Sequence, residues 1–314
     1  MSVLSAPHFH HEQAAYDYVE ARLWRDGPFC PHCGECERIG KLAGKSTRIG
    51  VRKCYSCRKP FTVKVGTIFE ASHVPMRHWL QAMFLMASNK KGISANQLHR
   101  TLGCTLKTAW FIEHRIREAM STGALEPFGS GGTAVEADET FIGMKPGAKR
   151  AKGVAHKNTV LTVVDRETGR AKSQVVANTS SWAVGPAIQA VTSPNARLIT
   201  DEGAQFKRHG QTFASHESVN HSRGEYVRDD VHTNTVEGTF SIFKRGMRGV
   251  YQHCATKHLH RYLAEFDFRY SNRKALGVDD VTRADEALRG VRGKRLTYRR
   301  TCERVAGGQT RVVW

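Results

Sequence analysis

The 314-residue chain is 40% hydrophobic and 25% charged, ordinary for a globular protein and long enough for two or three domains with a sizeable core. Its 48 Lys and Arg outnumber 29 Asp and Glu, a net charge of +19 that concentrates polyanions and puts nucleic acid first among partners. No stretch approaches the roughly 18 apolar residues of a membrane span, and Met1 to Glu20 lacks a secretory pattern. A cytoplasmic, nucleoid-associated protein with no membrane partner is therefore expected, in a reducing compartment where paired cysteines hold metal more often than they form disulfides.

Residues 1–25 predict an N-terminal helix with Ala15, Tyr18, Val19 and Leu23 on one side; His8, His10 and His11 before it read as a mobile tail, with metal binding as the alternative. Gly27 and Pro28 break the chain, and residues 26–70 read as a zinc ribbon. Cys30 and Cys33 form one Cys-x-x-Cys pair, Cys54 and Cys57 another, with 20 residues between the pairs. Each turn sets two thiolates on one side of a knuckle, and a hairpin brings the knuckles together around one tetrahedral Zn²⁺. Residues 38–53 and the run from Phe61 to Ile68 supply the β character. Four protein ligands leave no open position, so this zinc is structural. Cys36 is a competing candidate ligand, whereas Cys104, Cys254 and Cys302 stand alone.

Residues 75–121 read as a helix-turn-helix. Pro75 suits a first helical turn, and Trp79, Leu80, Met83, Phe84 and Ala87 follow at helical spacing. Ser94 and Gln97 make a capping-box pattern for a short helix ending near Leu102. Gly103 allows a sharp turn, and Thr105 caps a helix running towards Met120. Ala109, Ile112 and Ile116 mark its inner face; Lys107, Thr108, Arg115 and Arg117 are candidates for an outer, DNA-reading face. Helical hairpins without a DNA role share this pattern.

Gly129 to Gly132 predict a hinge, and residues 131–275 a strand-first, helix-later unit. The strand from Val135 to Ile142 carries Glu136 and Asp138 on one face and Glu139 on the other. A hairpin follows, Asn158 to Val164 and Ala171 to Val176, with Asp165 in its turn. A helix from Ser181 to Val191 leads to a short strand, Ala196 to Thr200, with Asp201 at its end. Thr235 opens a helix with Glu237 in its first turn, and Lys244, seven residues on, shares that face about 10 Å along the axis. In the next helix, Thr256 to about Asn272, Leu259, Tyr262, Leu263 and Phe266 are core positions. The flanking Arg245, Arg248, Lys257, His258 and Arg261 read equally as a DNA-tracking or a solvated face. Residues 276–314 read as a basic tail containing Arg289, Arg292, Lys294, Arg295, Arg299 and Arg300.

The spacing of Asp138, Asp201 and Glu237, with 35 residues between the last two, resembles that of the DDE-type insertion-sequence transposases. It is most similar to the bacterial subclass with an N-terminal zinc ribbon and a lysine after the glutamate. The resemblance spans roughly residues 25–273. It rests on Cys30 to Cys57, Phe61 to Phe69, Asp138 to Gly143, Thr200 with Asp201, His232 through Lys244, and Glu265 to Tyr270. It implies a multi-domain α/β protein: zinc ribbon, helix-turn-helix, and a ribonuclease-H-like mixed-sheet catalytic core with Asp138 and Asp201 on neighbouring strands. It implies two catalytic Mg²⁺, with Mn²⁺ as a substitute, held by Asp138, Asp201 and Glu237, and Lys244 against a phosphate near the cut. Some family members carry Asn at the third position, which leaves Asn234 as an auxiliary candidate. The implied reaction is cleavage at the terminal inverted repeats of a transposon followed by strand transfer into double-stranded target DNA, by a homodimer or higher oligomer. Lys107, Thr108, Arg115, Arg245 and Arg248 are the candidate DNA contacts. A zinc-ribbon, helix-turn-helix regulator without catalysis leaves the carboxylates unexplained; a metal-dependent nuclease that cuts without joining is the other alternative.

Overall fold

In the computed structural model, which describes residues 2–121 and 126–297, helix α1 (Glu12–Leu23) buries Ala15, Val19 and Leu23 on one side, joined by Tyr16. The segment before it is not a mobile tail. Two 3₁₀ turns, Val3–Ser5 and Pro7–Phe9, carry Phe9 into the core and stack His8 on Tyr18, ring centroids 3.9 Å apart. Strands β1 (Ile39–Lys41), β2 (Arg52–Cys54) and β3 (Pro60–Phe61) form an antiparallel sheet with β2 in the middle. Pairing stops at Phe61 instead of running to Ile68. The apolar residues Val63, Ile68 and Phe69 leave the ribbon and enter the core of the helices that follow, so their β-like pattern reflects burial from several sides.

Those helices are α2 (Met76–Ser88), α3 (Ala95–Leu102) and α4 (Leu106–Met120). Their boundaries follow local chemistry. Ser94 Oγ accepts the Gln97 amide and Thr105 Oγ1 the Thr108 amide, each at 3.2 Å, and the α3–α4 turn passes through Gly103 at φ 65°. The expected hinge at Gly129 is instead a packed turn. Gly129 has φ +72°, its amide donates to Asp165 Oδ2 at 3.1 Å, and a Cβ there would lie 2.4 Å from the Ala196 side chain.

Beyond it, β4 (Ala134–Ile142), β5 (Asn158–Asp165), β6 (Ala171–Val176), β7 (Arg197–Asp201) and β8 (Ser215–Val219) make one mixed sheet in the order β6-β5-β4-β7-β8. β5 runs antiparallel to both neighbours, while β4, β7 and β8 are parallel. All eight residues of β5 are buried, because helices cover both sheet faces. Leu161 and Val163 face α5 (Ser181–Gln189) and α6 (Ala204–Gly210) through Val184, Ile188 and Phe206. Val160 and Val164 face α7 (Asn234–Gly246) and α8 (Thr256–Ser271) through Val236, Phe240, Phe243 and Leu263. This is the expected ribonuclease-H-like mixed-sheet arrangement.

Helix α8 is buried on two sides. Leu259, Leu263 and Phe266 pack towards the sheet, and Phe268 enters the core of α1, α2 and α4. The last helix, α9 (Asp280–Arg289), joins that same core through Ala287, Leu288 and the following Val291. Residues 276–297 are thus a folded element and not a tail: a helical apolar spacing lies between the arginines that make the stretch look merely basic. Arg299, Arg300 and Cys302 lie outside the described residues. Among the described residues, no helix is long and apolar enough to cross a membrane.

Candidate functional site

The four ribbon cysteines converge as their spacing requires. Their sulfurs lie within 4.8 Å of one another, with Cys30–Cys57 and Cys33–Cys54 each at 3.6 Å. Four thiolates about 2.3 Å from one tetrahedral zinc have edges of about 3.8 Å, so this set fits zinc closely. Cys36 is exposed and its thiol turns to the Gly34 carbonyl at 3.3 Å, away from the cluster. Cys54→Ser is expected to drop bound zinc well below one per chain and to unfold the ribbon, because structural zinc energy is folding energy. Metal analysis with circular dichroism checks this; full zinc retention would remove the assignment.

The carboxylates converge from three elements. β4 pairs with β7 in the register Glu136↔Ile199, and two residues further on Asp138 stands level with Asp201. Both face the α7 side of the sheet; Glu139 takes the opposite face, where Gln205 Nε2 donates to it at 2.6 Å. Asp201 ends β7 and accepts the Gly203 amide at 2.9 Å. A Cβ at Gly203 would lie 2.4 Å from Gln205 Nε2 and 2.8 Å from the Asp201 carboxylate, so a larger residue there would displace one of those side chains. Glu237 sits exposed in the first turn of α7, its Oε1 accepting the Thr233 hydroxyl at 3.0 Å.

The electrostatics tie these groups together. Burial, then the carboxylates of Asp201, Glu139 and Glu237, push Asp138 up to about 8, against the pull of the Glu139 amide. Asp201 is also raised, first by burial and then by Glu202 and Glu237, with the Gly203 amide and His221 opposing. Lys244 is half-buried on α7, two turns beyond Glu237; burial and its neighbours Arg248 and Lys157 lower its pKa, while Asp138 raises it.

In the sequence Glu136 stands out only as an acid beside Asp138, with no role attached. In the fold it is fully buried, and its Oε2 accepts the Val236 amide at 2.9 Å, capping α7 from the neighbouring strand. Its Oε1 accepts from Arg166 at 2.6 Å, and Arg166 also donates to the Asp230 and His232 carbonyls at 2.6 and 2.8 Å. One buried carboxylate and one arginine therefore fix where α7, and with it Glu237, meets β4. Its partners lie 30 and 100 residues away along the chain.

The candidate DNA contacts divide. Lys107 is exposed at the first turn of α4, and Thr108 is half-buried with its hydroxyl 2.9 Å from that of Thr105. Arg115 and Arg117 are not on an outer face. Arg115 is buried and donates to the Ile68, Glu70 and Leu296 carbonyls. Arg117 is wholly buried and donates to Glu265 and Glu113 at 2.7 and 3.2 Å. Neither has a solvent face, because α8, α9 and the chain after the ribbon close over α4. Arg261 likewise pairs with Glu118 across the α4–α8 contact. Arg245 and Arg248 are exposed, Arg245 folding back on Ser241.

Two stretches of the chain match domains of known proteins. Residues 130–271 match the ISXO2-like transposase domain, and residues 10–60 the transposase zinc-ribbon domain. The chain is 27% identical over 288 residues, 84% of its length, to a protein in the transposable element ISH50 of Halobacterium salinarum, 94% of which is covered. Both domain matches fall in the order that the fold shows, so over residues 10–60 and 130–271 the chain is similar to DDE-type insertion-sequence transposases that carry an N-terminal zinc ribbon.

Proposed function

We propose that the protein cuts the terminal inverted repeats of its own element and joins the freed ends to target DNA, with Asp138, Asp201 and Glu237 acting as one metal-binding site. The observation that carries this is the register that sets Asp138 level with Asp201 on parallel strands, facing the helix that bears Glu237. Three carboxylates crowded in a partly buried site repel one another, and divalent cations relieve that repulsion; all-oxygen donors suit Mg²⁺, with Mn²⁺ as a substitute. Two such ions, when bound, activate the attacking oxygen and offset charge on the leaving one.

The chain's own residues supply the positioning on which phosphoryl transfer depends. Glu136 and Arg166 hold the start of α7 against β4, and Thr233 orients one oxygen of Glu237. Lys244, beside Asp138, meets a phosphate oxygen of the strand being cut. Asn234, exposed at the first position of α7 and one turn before Glu237, is placed to assist at the same phosphate. Lys107, Thr108, Arg245 and Arg248 contact the DNA backbone, and pairing of two element ends calls for a homodimer or larger assembly.

The test is a labelled duplex carrying the element end, incubated with a second duplex and Mg²⁺. A free 3′-hydroxyl at the element boundary followed by a joined product is expected. Cutting without joining would mean a nuclease, and neither product would overturn the reading.

A further inference from the structure

A pocket of about 390 Å³ opens between the end of β4 and the chain that leaves α7. Met144, Met247 and Leu259 are among its apolar walls, and Arg150, Lys157, Arg248 and His156 are among its polar lining. No described carboxylate lies within ion-pair distance of Arg150, Lys157 or Arg248. His156 is only 8% exposed, yet its Nδ1 has no hydrogen-bond partner. Arg150 and Arg248 are exposed and Lys157 half-buried, so water solvates their charges; the unpaired, buried imidazole nitrogen is the costly group. An anion seated among these cations and within reach of that nitrogen would pair it.

Position says which anion. Arg248 follows Lys244 by four residues, in the π-helical turn Met247–Tyr251 that continues α7, so the two cations stand about one helical turn apart, a step comparable to the distance between successive phosphates on one DNA strand. Lys244 is close enough to Arg248 and Lys157 for their charges to lower its pKa, and to Asp138 for that carboxylate to raise it, so two of the pocket's cations neighbour the lysine beside the carboxylate site.

We propose that this pocket is a phosphate subsite, in which Arg150, Lys157, Arg248 and the Nδ1 of His156 hold the backbone phosphate next to the one being cut. It rests on the transposase reading, and both DNA sources, the element end and the target strand, present the same phosphodiester chemistry there.

The experiment is a substitution cycle on the full chain, without added Mg²⁺ so that nothing is cut. The DNA is a duplex in which single phosphates around the reacting position are replaced one at a time by neutral methylphosphonates, first in the element end and then in the target. In the wild type, one neutralised phosphate adjacent to the cut is expected to weaken binding roughly tenfold, the size of a charge-assisted hydrogen bond. In the Arg150→Gln, Lys157→Gln, Arg248→Gln triple variant the same replacement should cost nothing more, and the log–log salt slope should be about 0.9 shallower for each phosphate that the variant no longer neutralises. His156→Asn alone should give a smaller change at the same phosphate, and Lys274→Gln, an exposed cation after α8, none. The arm in which binding weakens identifies the strand. Equal weakening in wild type and triple variant at every position, or an unchanged salt slope, would overturn the subsite. A wild type that binds the end and shows this pattern, but never cuts it when Mg²⁺ is added, would refute the transposase chemistry and leave the subsite standing.

Discussion

Asp138→Asn and Asp201→Asn are each expected to lower cleavage of the element end by roughly 10³-fold or more. Losing a metal-ligating carboxylate removes several kcal/mol of transition-state stabilisation, and each ~1.4 kcal/mol is tenfold in rate. Neither change should harm the fold. The Asp138 carboxylate accepts the Glu139 amide at 2.7 Å and that of Asp201 accepts the Gly203 amide at 2.9 Å. An asparagine oxygen makes the same bonds. Binding of end DNA and zinc content should therefore match the wild type, and melting should shift by no more than a few degrees. Rate measurements on purified variants, alongside a gel-shift titration, separate the two properties. A variant that cuts within tenfold of the wild type would place the chemistry elsewhere.

The largest loss of stability is expected from Arg117→Ala. Arg117 is fully buried between Glu113 on its own helix and Glu265 on α8, with its guanidinium 4.0 Å from the Tyr262 ring centroid. Glu265 also accepts from Arg269, and from the Tyr251 hydroxyl at 2.5 Å. Removing one partner of such a network leaves a buried charge short of compensation, at a cost of about 3–5 kcal/mol. For a chain of this size that is a fall in melting temperature of roughly 5–8 °C. Glu113→Gln in the same chain should recover part of it, since one of the two acids that faced Arg117 is then neutral. Thermal unfolding of the single and double variants checks both statements. A destabilisation below about 1 kcal/mol would mean that α4 and α8 do not depend on this ion pair. The network matters for function because α4 follows the α3 turn of the helix-turn-helix, and α8 lies on the catalytic sheet. Under the proposed DNA contact at Lys107, this ion pair is the fixed joint between the start of α4 and the sheet that bears the carboxylates.

What is readable from sequence and what is not follow one division. The zinc set is legible because its geometry is local: two Cys-x-x-Cys turns and a hairpin. The helix boundaries at Ser94, Gly103 and Thr105 are legible for the same reason, as are the strand with Asp138 and the helix with Glu237. Asp201 is marked by a short apolar run ending in an acid, and the β4–β7 pairing explains why that place matters. Arg115 and Arg117 mislead because a basic residue on a helix does not reveal whether a distant carboxylate awaits it; Glu265 lies 148 residues from Arg117. The same distance hides the capping of α7 by Glu136. The stretch from Phe61 to Ile68 and helix α9 share another cause: both supply apolar residues to a core built by elements far away in the chain. His156 has no sequence signal at all, since its meaning depends on an unpaired nitrogen inside a pocket.

The measurement that bears most directly on the three carboxylates as one catalytic site is strand transfer by the intact protein. A pre-cut, labelled element end is incubated with target duplex and Mg²⁺, and the wild type is compared with Asp201→Ala. The wild type should yield a joined product and the variant none, although both retain the end in a gel shift. Joining by Asp201→Ala at a rate close to the wild type would contradict the assignment.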